Sequence, residues 1–149
     1  MKYLYRIYQV VVFLPLFILI SLFISIITVV GCTLGNGHFW GYYPGRYWAR
    51  SVIRLLFLPV KVEGRENLKP GQSYVFVANH QGAFDIFLIY GFLNRNFKWM
   101  MKHQLGRIPF VGYACKCAHH IFVDRGGASK VRKTYEEARE ILQEGMSLV

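Results

Sequence analysis

Hydrophobic positions divide this chain into one long apolar run near its amino end and a second part where apolar and polar segments alternate. The run from Val10 to Val30 is almost entirely apolar and has the length that a helix needs to cross a bilayer core. It therefore predicts a membrane segment. A secretory signal is the weaker reading, because no small-x-small cleavage pattern clearly closes the run, Val30-Gly31-Cys32 being the nearest candidate.

The second part alternates short strand-like runs with helix-like ones. Strands are predicted at residues 60–63, 73–78, 97–101, 120–123 and 146–149, and helices at residues 84–93, 110–117 and 128–143. The last helix is the clearest: Val131, Tyr135, Ala138 and Leu142 share one face, and Gly145 is its stop signal. Alternating strands and helices predict an α/β architecture.

This pattern divides the chain into membrane-embedded and interfacial helices over residues 1–58 and an α/β domain over residues 59–149. The predicted fold is therefore an N-terminal membrane helix or helical hairpin followed by an α/β domain. A buried strand that ends at Val149, with nothing after it to cover its far side, indicates a fragment that is incomplete at its C-terminus.

Charge refines the picture of the amino end. The net charge is +10, and basic residues flank the apolar run on both sides, so the positive-inside rule does not orient a single span. A hairpin, in which part of Leu34 to Leu58 returns or lies in the interface, would place both basic ends at the cytoplasmic face. Arg46, Arg50 and Arg54 recur every four residues, which suits an interfacial helix on anionic headgroups; a solvated helix face is the alternative.

Several kinds of chemistry lack their signatures. The three cysteines include Cys115-Lys116-Cys117, a closer spacing than zinc sites usually have, so reduced structural cysteines and no metal are expected. The chain has no Gly-x-Ser-x-Gly elbow and no nucleotide-binding glycine loop. Nucleic-acid binding is not favoured either, because the basic residues lie beside a membrane segment and not in a groove interleaved with aromatic residues.

His80 and Asp85 are the strongest candidates for chemistry. They stand five positions apart after the strand-like run 73–78, a spacing that brings two side chains together neither in a helix nor in a strand, but only across a turn with Gly82 at its corner. An imidazole next to a carboxylate can act as a general base held in one tautomer. The alternative is that Asn79 or Asp85 merely caps a helix and His80 is a packed polar side chain.

The residues around this pair resemble the glycerolipid acyltransferase family with its His-x4-Asp motif. The resemblance rests on three blocks in the family's order and spacing, and it covers roughly residues 60 to 145. The blocks run from Val77 to Asp85, from Lys102 to Gly112 with Ile108-Pro109-x-x-Gly112, and from Ile121 to Arg125.

The resemblance implies a membrane-bound acyltransferase. His80 would take the proton from a glycerol hydroxyl and Asp85 would orient it, while Arg125 and Lys102, with Asn79 and Gly82, would bind the acceptor and its phosphate. The acyl donor would be acyl-CoA or acyl-carrier protein, with no cofactor and no metal. The implied acceptor is 1-acyl-glycerol-3-phosphate (lysophosphatidic acid), giving phosphatidic acid at the cytoplasmic face of a bacterial inner membrane. The alternatives are another lysophospholipid, an ornithine-type lyso-lipid, or a non-catalytic truncated module that only binds membranes.

The chain departs from the family pattern at three places. His119 stands where the family usually has glycine, and Gln104 stands where it has glutamate. The family's Phe-Pro-Glu-Gly-Thr-Arg block is absent, since Glu144-Gly145-Met146-Ser147 lacks the preceding Phe-Pro and the following Arg. We expect that block just beyond Val149, which would leave the present chain catalytically incomplete.

Overall fold

A single long helix opens the structure. This computed structural model describes residues 2–79, 81–124, 126–143 and 146–149. Its first helix, α1 (Lys2–Leu34), is long and apolar enough to cross a membrane. It widens to a π-helical turn at Gln9–Phe13. The widening directly precedes Pro15, which has no N–H to donate to the helical ladder. The predicted apolar segment is thus confirmed as a helix.

The chain then turns back along α1. A short helix α2 (Gly37–Trp40) leads into α3 (Tyr43–Leu55), and the indole N–H of Trp48 donates to the hydroxyl of Ser21 at 2.9 Å. Near the end of α3, the hydroxyl of Tyr8 donates to the carbonyl of Leu55 at 2.8 Å. Because successive points along α3 meet earlier and earlier residues of α1, the two helices form an antiparallel hairpin.

The remaining elements build a small parallel sheet flanked by helices. They are α4 (Phe84–Phe92), β1 (Phe97–Lys98), β2 (Met100–Lys102), α5 (Val111–Cys117), β3 (Ile121–Val123), α6 (Ala128–Gln143) and β4 (Ser147–Leu148). Short 3₁₀ turns lie at Arg65–Asn67 and His103–Arg107. Strand β1 pairs in parallel with β4, and β2 pairs in parallel with β3. Strands β1 and β2 are one extended segment broken only at Trp99, so these ladders join into one layer.

The core lies on both faces of this sheet. Phe97 on β1 packs with Tyr42 and Tyr90 beneath α3 and α4. On the other side, Ile121 and Leu148 pack against Ala138 of α6. Helices on both faces of a parallel sheet confirm the predicted α/β character. The aromatic cluster also joins residues from both sides of the predicted boundary at residue 58.

Three predicted details are wrong. Residues 60–63 form no strand, and residues 73–78 form only a single bridge between Val75 and Leu148. The latter segment is not buried, since Val77 is 93% exposed. Among the described residues, its backbone pairs with one neighbour, β4. A strand that is paired along one edge and has an open face leaves its side chains in solvent.

The third error concerns the face of α6. Tyr135 is 69% exposed, whereas Thr134 and Ala138 are buried. The predicted face is thus confirmed at Ala138 and Leu142, which both belong to the core cluster on the sheet, and is wrong at Tyr135.

Candidate active site

The carboxyl ends of the parallel strands bring Asn79 and Lys102, two of the predicted site residues, to one edge of the sheet. Lys102 ends β2 and pairs in register with Val123, the last residue of β3. The bridge at Val75 runs parallel to β4, so the segment that continues to Asn79 leaves the sheet at the same edge. Open α/β sheets bind their ligands at this edge. His80 and Arg125 follow two of these segments but lie outside the described residues.

Asp85 fastens the turn that carries the His-x4-Asp motif. Its Oδ2 accepts hydrogen bonds from the backbone N–H groups of Gln81 at 2.7 Å and Gly82 at 3.0 Å. The carboxylate lies in the first turn of α4, where the positive end of the helix dipole favours a negative charge. Asp85 thus holds the backbone immediately after residue 80. This contact matches the helix-capping role that the sequence analysis kept as the alternative for Asp85, since an acid in a first helical turn often reaches back to preceding amides.

The other residues predicted near this turn are exposed. Asn79, Gly82 and Lys102 all reach solvent. Among the described residues, a Cβ built on Gly82 would meet no atom within 4 Å, so packing within that part of the chain does not require glycine at the corner of the turn.

The segment after β3 is ordered by an ion pair. Asp124 accepts from the ammonium of Lys130 at 2.7 Å and from the backbone N–H of Gly126 at 2.9 Å. The hydrogen bond from Lys130 is the main cause that lowers the pKa of Asp124. Asp124 is therefore an ionised anchor that ties the end of β3 to the start of α6, on either side of Arg125.

Arginines secure the opposite end of α4. Arg50 donates from Nε to the carbonyl of Gly91 at 2.7 Å, and Arg65 donates from Nη2 to the carbonyl of Phe92 at 2.6 Å. Arg46 donates to the side chain of Asn94. Cations suit the negative end of a helix, so these contacts fix the helix whose first turn holds Asp85. Of the α3 arginines predicted to bind headgroups, Arg46 and Arg50 thus make contacts within the protein, and Arg54 is exposed.

The Ile-Pro-x-x-Gly block has a steric reason for its glycine. A Cβ on Gly112 would overlap the backbone carbonyl of Gly106. The 3₁₀ turn after β2 therefore packs directly on the start of α5 at this point. Sequence analysis identified the block but not the contact that requires it.

Two backbone hydrogen bonds hold the turn between α5 and β3. His120 donates its backbone N–H to the carbonyl of Cys115 at 3.1 Å, and His119 donates to Lys116 at 3.0 Å, which is the Schellman pattern that ends a helix. His119 has φ +57°, the left-handed region that glycine adopts at lower cost. The family's usual glycine at this position therefore has a backbone explanation.

Two buried polar side chains lie under this turn. The ammonium of Lys98 donates to the carbonyl of Ala118 at 2.8 Å, and the Nδ1 of His120 accepts from the backbone N–H of Trp99 at 3.2 Å. Burial, aided by the nearby Lys98 charge, lowers the pKa of His120 to about 3. The imidazole is therefore neutral, and because its Nδ1 accepts a hydrogen bond, its proton lies on Nε2. Across the described residues, no group of three or more His, Cys, Asp or Glu side chains could hold a metal ion.

Several known proteins similar to this chain share the name 1-acyl-sn-glycerol-3-phosphate acyltransferase. A 1-acyl-sn-glycerol-3-phosphate acyltransferase of Chlamydomonas reinhardtii is 34% identical over 90 residues, which cover 60% of this chain and 27% of the relative. The enzyme of that name from Saccharomyces cerevisiae is 29% identical over 119 residues, or 79% and 39% of the two chains. One from Helicobacter pylori is 31% identical over 75 residues, or 50% and 32%.

The matched relatives are longer proteins. The chain spans between 27% and 39% of the length of these three. No solved structure gives a significant match. The family model described as Acyltransferase matches residues 59–149, from the predicted start of the α/β domain onward. Because that match covers more than half of the chain, the protein belongs to the Acyltransferase family.

Proposed function

We propose that this chain acts in the transfer of an acyl group to lysophosphatidic acid. A fatty acyl group would move from acyl-CoA or acyl-carrier protein to the free hydroxyl of 1-acyl-glycerol-3-phosphate, and phosphatidic acid would form. The observation that carries the proposal is the His-x4-Asp turn at the carboxyl edge of the sheet, inside the matched region 59–149. The acceptor is taken from relatives named 1-acyl-sn-glycerol-3-phosphate acyltransferases.

The chemistry needs one general base and no enzyme nucleophile, because a thioester is already activated. In the proposed step, His80 accepts the proton of the glycerol hydroxyl while its oxygen attacks the thioester carbonyl. The tetrahedral intermediate then expels the thiolate, which takes that proton from the imidazolium. Asp85 supports this step by holding the backbone amides of Gln81 and Gly82, which restricts where residue 80 can lie.

The phosphate of the acceptor would meet Lys102 and Arg125. Lys102 is exposed at the end of β2, and a guanidinium at residue 125 could contact a phosphate monoester through two N–H groups. Asp124, the acid adjacent to Arg125, forms an ion pair with Lys130. This pair supports phosphate binding by Arg125, because Asp124 already has another cation as its partner.

We also propose that the site works at the cytoplasmic face of a membrane, the inner one in a bacterium. Tyr5 and Tyr8 contact the end of α3, so Lys2 and Arg6 lie at the same end of the hairpin as Arg54. Basic residues gathered at one end favour the cytoplasmic side.

The test is an acyl-transfer assay in liposomes with the full-length protein, lysophosphatidic acid, and acyl-CoA or acyl-carrier protein as donor. Lysophosphatidylethanolamine and an ornithine lyso-lipid serve as competing acceptors. We expect His80→Ala to abolish transfer without loss of liposome binding; an unchanged turnover would contradict the assignment. Asp85→Asn, which keeps an oxygen for the two amides, should retain more activity than Asp85→Ala. A full-length wild-type protein that binds liposomes and transfers nothing would favour the membrane-binding module.

A further inference from the structure

A cavity of about 400 Å³ lies at the amino ends of β1 and β4, away from the His-x4-Asp turn. Its walls also include the loop that begins at Arg65 and the residues that follow α4. Asp85 lies in the first turn of α4, whereas Leu93 and Asn94, just beyond the last turn, line the cavity. The nine residues of α4 span about 13 Å, so the cavity is separate from the candidate active site.

Arginine side chains surround this cavity. Arg65 and Arg95 line it, and Arg46 donates to the side chain of Asn94, which lines it too. Within the described ranges, no carboxylate forms an ion pair with any of these arginines. Their hydrogen-bond partners are carbonyl and amide oxygens, whose dipoles offset only part of a full positive charge. The cavity therefore has a positive potential that favours an anion.

Arg95 holds the cavity in shape. It donates from Nη1 to the carbonyl of Gln72 at 3.1 Å and from Nη2 to the carbonyl of Lys69, and its guanidinium carbon lies 5.1 Å from the centre of the Tyr74 ring. These contacts fix the loop over residues 69–74 to the segment just before β1. Because the protein itself makes them, the cation is in place before a ligand binds, which lowers the cost of binding.

Arg65 can contact a ligand directly. Its side chain is exposed, and Nη2 donates to the carbonyl of Phe92 at 2.6 Å. Its remaining N–H groups have no partner in the part of the chain that the structure describes, so they can donate to an anion. A phosphate monoester carries close to two negative charges at neutral pH, so it matches several arginines better than a single carboxylate does.

The rest of the cavity wall is largely apolar, with Leu68, Pro70, Leu93 and Met146 beside the arginines. A volume of about 400 Å³ falls within the range of small-molecule sites, about 300–1,000 Å³, and exceeds what a phosphate ion alone would fill. An apolar wall next to a cationic one suits a molecule that has an apolar body and an anionic group.

We infer that this cavity binds a small organic phosphate. Arg65 contacts the phosphate in the field of Arg46 and Arg95, and the apolar side chains contact the body of the molecule. A soluble metabolite and a lipid headgroup can both present a phosphate monoester, so the experiment includes a probe of each kind. The inference does not rest on acyl transfer, and its failure would leave the proposed function unaffected.

The first experiment measures whether an organic phosphate reaches Arg65. The full-length protein in detergent is treated with phenylglyoxal, which modifies arginines, and mass spectrometry follows each arginine separately. We expect phenyl phosphate or dihexanoylphosphatidic acid to slow the modification of Arg65 and to leave the exposed Arg139 on α6 unchanged. The probe that protects at the lower concentration identifies the soluble or the lipid source. Protection by neither probe, or equal protection by inorganic phosphate, would overturn the inference.

The second experiment tests the role of charge with matched variants of the half-buried Leu68. Leu68→Glu adds a carboxylate to the cavity wall, and Leu68→Gln adds a side chain of similar size without a charge; circular dichroism checks that both variants are folded. We expect half-maximal protection of Arg65 to need about tenfold more of the protecting probe in the glutamate variant, because the added charge repels the phosphate. The same concentration in both variants would overturn the inference.

Discussion

His119 offers a direct test of how the backbone leads into the site. It follows α5 with φ +57°, while the two backbone hydrogen bonds of the Schellman pattern hold it in place. Replacing it by glycine removes a Cβ from the left-handed region, and replacing it by alanine keeps that Cβ. Both variants lose the imidazole and its contact with the ring of His38, so their difference isolates the backbone.

The expected size follows from two opposing effects. A Cβ in the left-handed region costs about 1–2 kcal/mol, and the greater freedom of glycine in the unfolded chain offsets about 0.5–1 kcal/mol of this. His119→Gly should therefore exceed His119→Ala in free energy of unfolding by about 1 kcal/mol. For a chain of this size, that difference raises Tm by about 2–4 °C.

The assay is thermal unfolding in one detergent, followed by circular dichroism for both variants. Ala118→Gly is the matched control, because Ala118 is buried and has φ −78°. Removing its methyl group should lower Tm, opposite in sign to the change from alanine to glycine at residue 119. An alanine variant at residue 119 as stable as the glycine variant would refute the argument from backbone conformation.

Three further predictions follow from the site and the turns around it. Arg125→Ala should raise the KM for the phosphorylated acceptor much more than the KM for the acyl donor, whereas the exposed Arg132→Ala, which breaks only its pair with Glu136, should change neither; equal effects on both substrates would count against phosphate binding. Gly112→Ala should lower Tm because its Cβ overlaps the Gly106 carbonyl, whereas Gly82→Ala, whose Cβ meets no atom of the described residues within 4 Å, should leave Tm nearly unchanged; similar losses of Tm in both variants would contradict the steric explanation. The third concerns pH. Because burial lowers the pKa of His120 to about 3, its contribution to stability is complete above its ordinary pKa of about 6.5 and falls as pH drops below that value, by up to about 1.4 kcal/mol per pH unit. His120→Asn, which keeps an acceptor for the Trp99 N–H, should therefore flatten the fall of Tm between pH 7 and pH 4.5, and an unchanged slope would contradict the assignment.

Local patterns predicted many of the elements and the motif. The apolar run, the helix over residues 84–92 and the amphipathic helix over 128–143 follow from periodicity, because the spacing of apolar residues reflects the geometry of the element that buries them. The blocks around Asp85 and Gly112 were recognisable from their resemblance to the motifs of a known family, in the same order and spacing. The roles of His80 and Arg125 stay predictions.

Contacts between distant segments were not predictable in this way. The strand-like composition of residues 73–78 did not reveal that Val77 would be exposed, since burial depends on what lies across the sheet. The spacing of Arg46 and Arg50 suggested headgroups, but Arg50 binds the carbonyl of Gly91 near the end of α4, and Arg46 binds the side chain of Asn94 just after it. A cationic side chain at the end of another helix leaves no local trace in the sequence.

The sequence by itself determined that an apolar helix precedes an α/β domain with a His-x4-Asp turn, because hydrophobic periodicity and motif spacing are properties of neighbouring residues. Only the tertiary structure decided which side of that helix is bare. The packing of Trp48 on Ser21 and of Phe87 on Phe17 joins segments far apart in the chain. Such contacts depend on how distant segments pack, so the spacing of neighbouring residues does not reveal them.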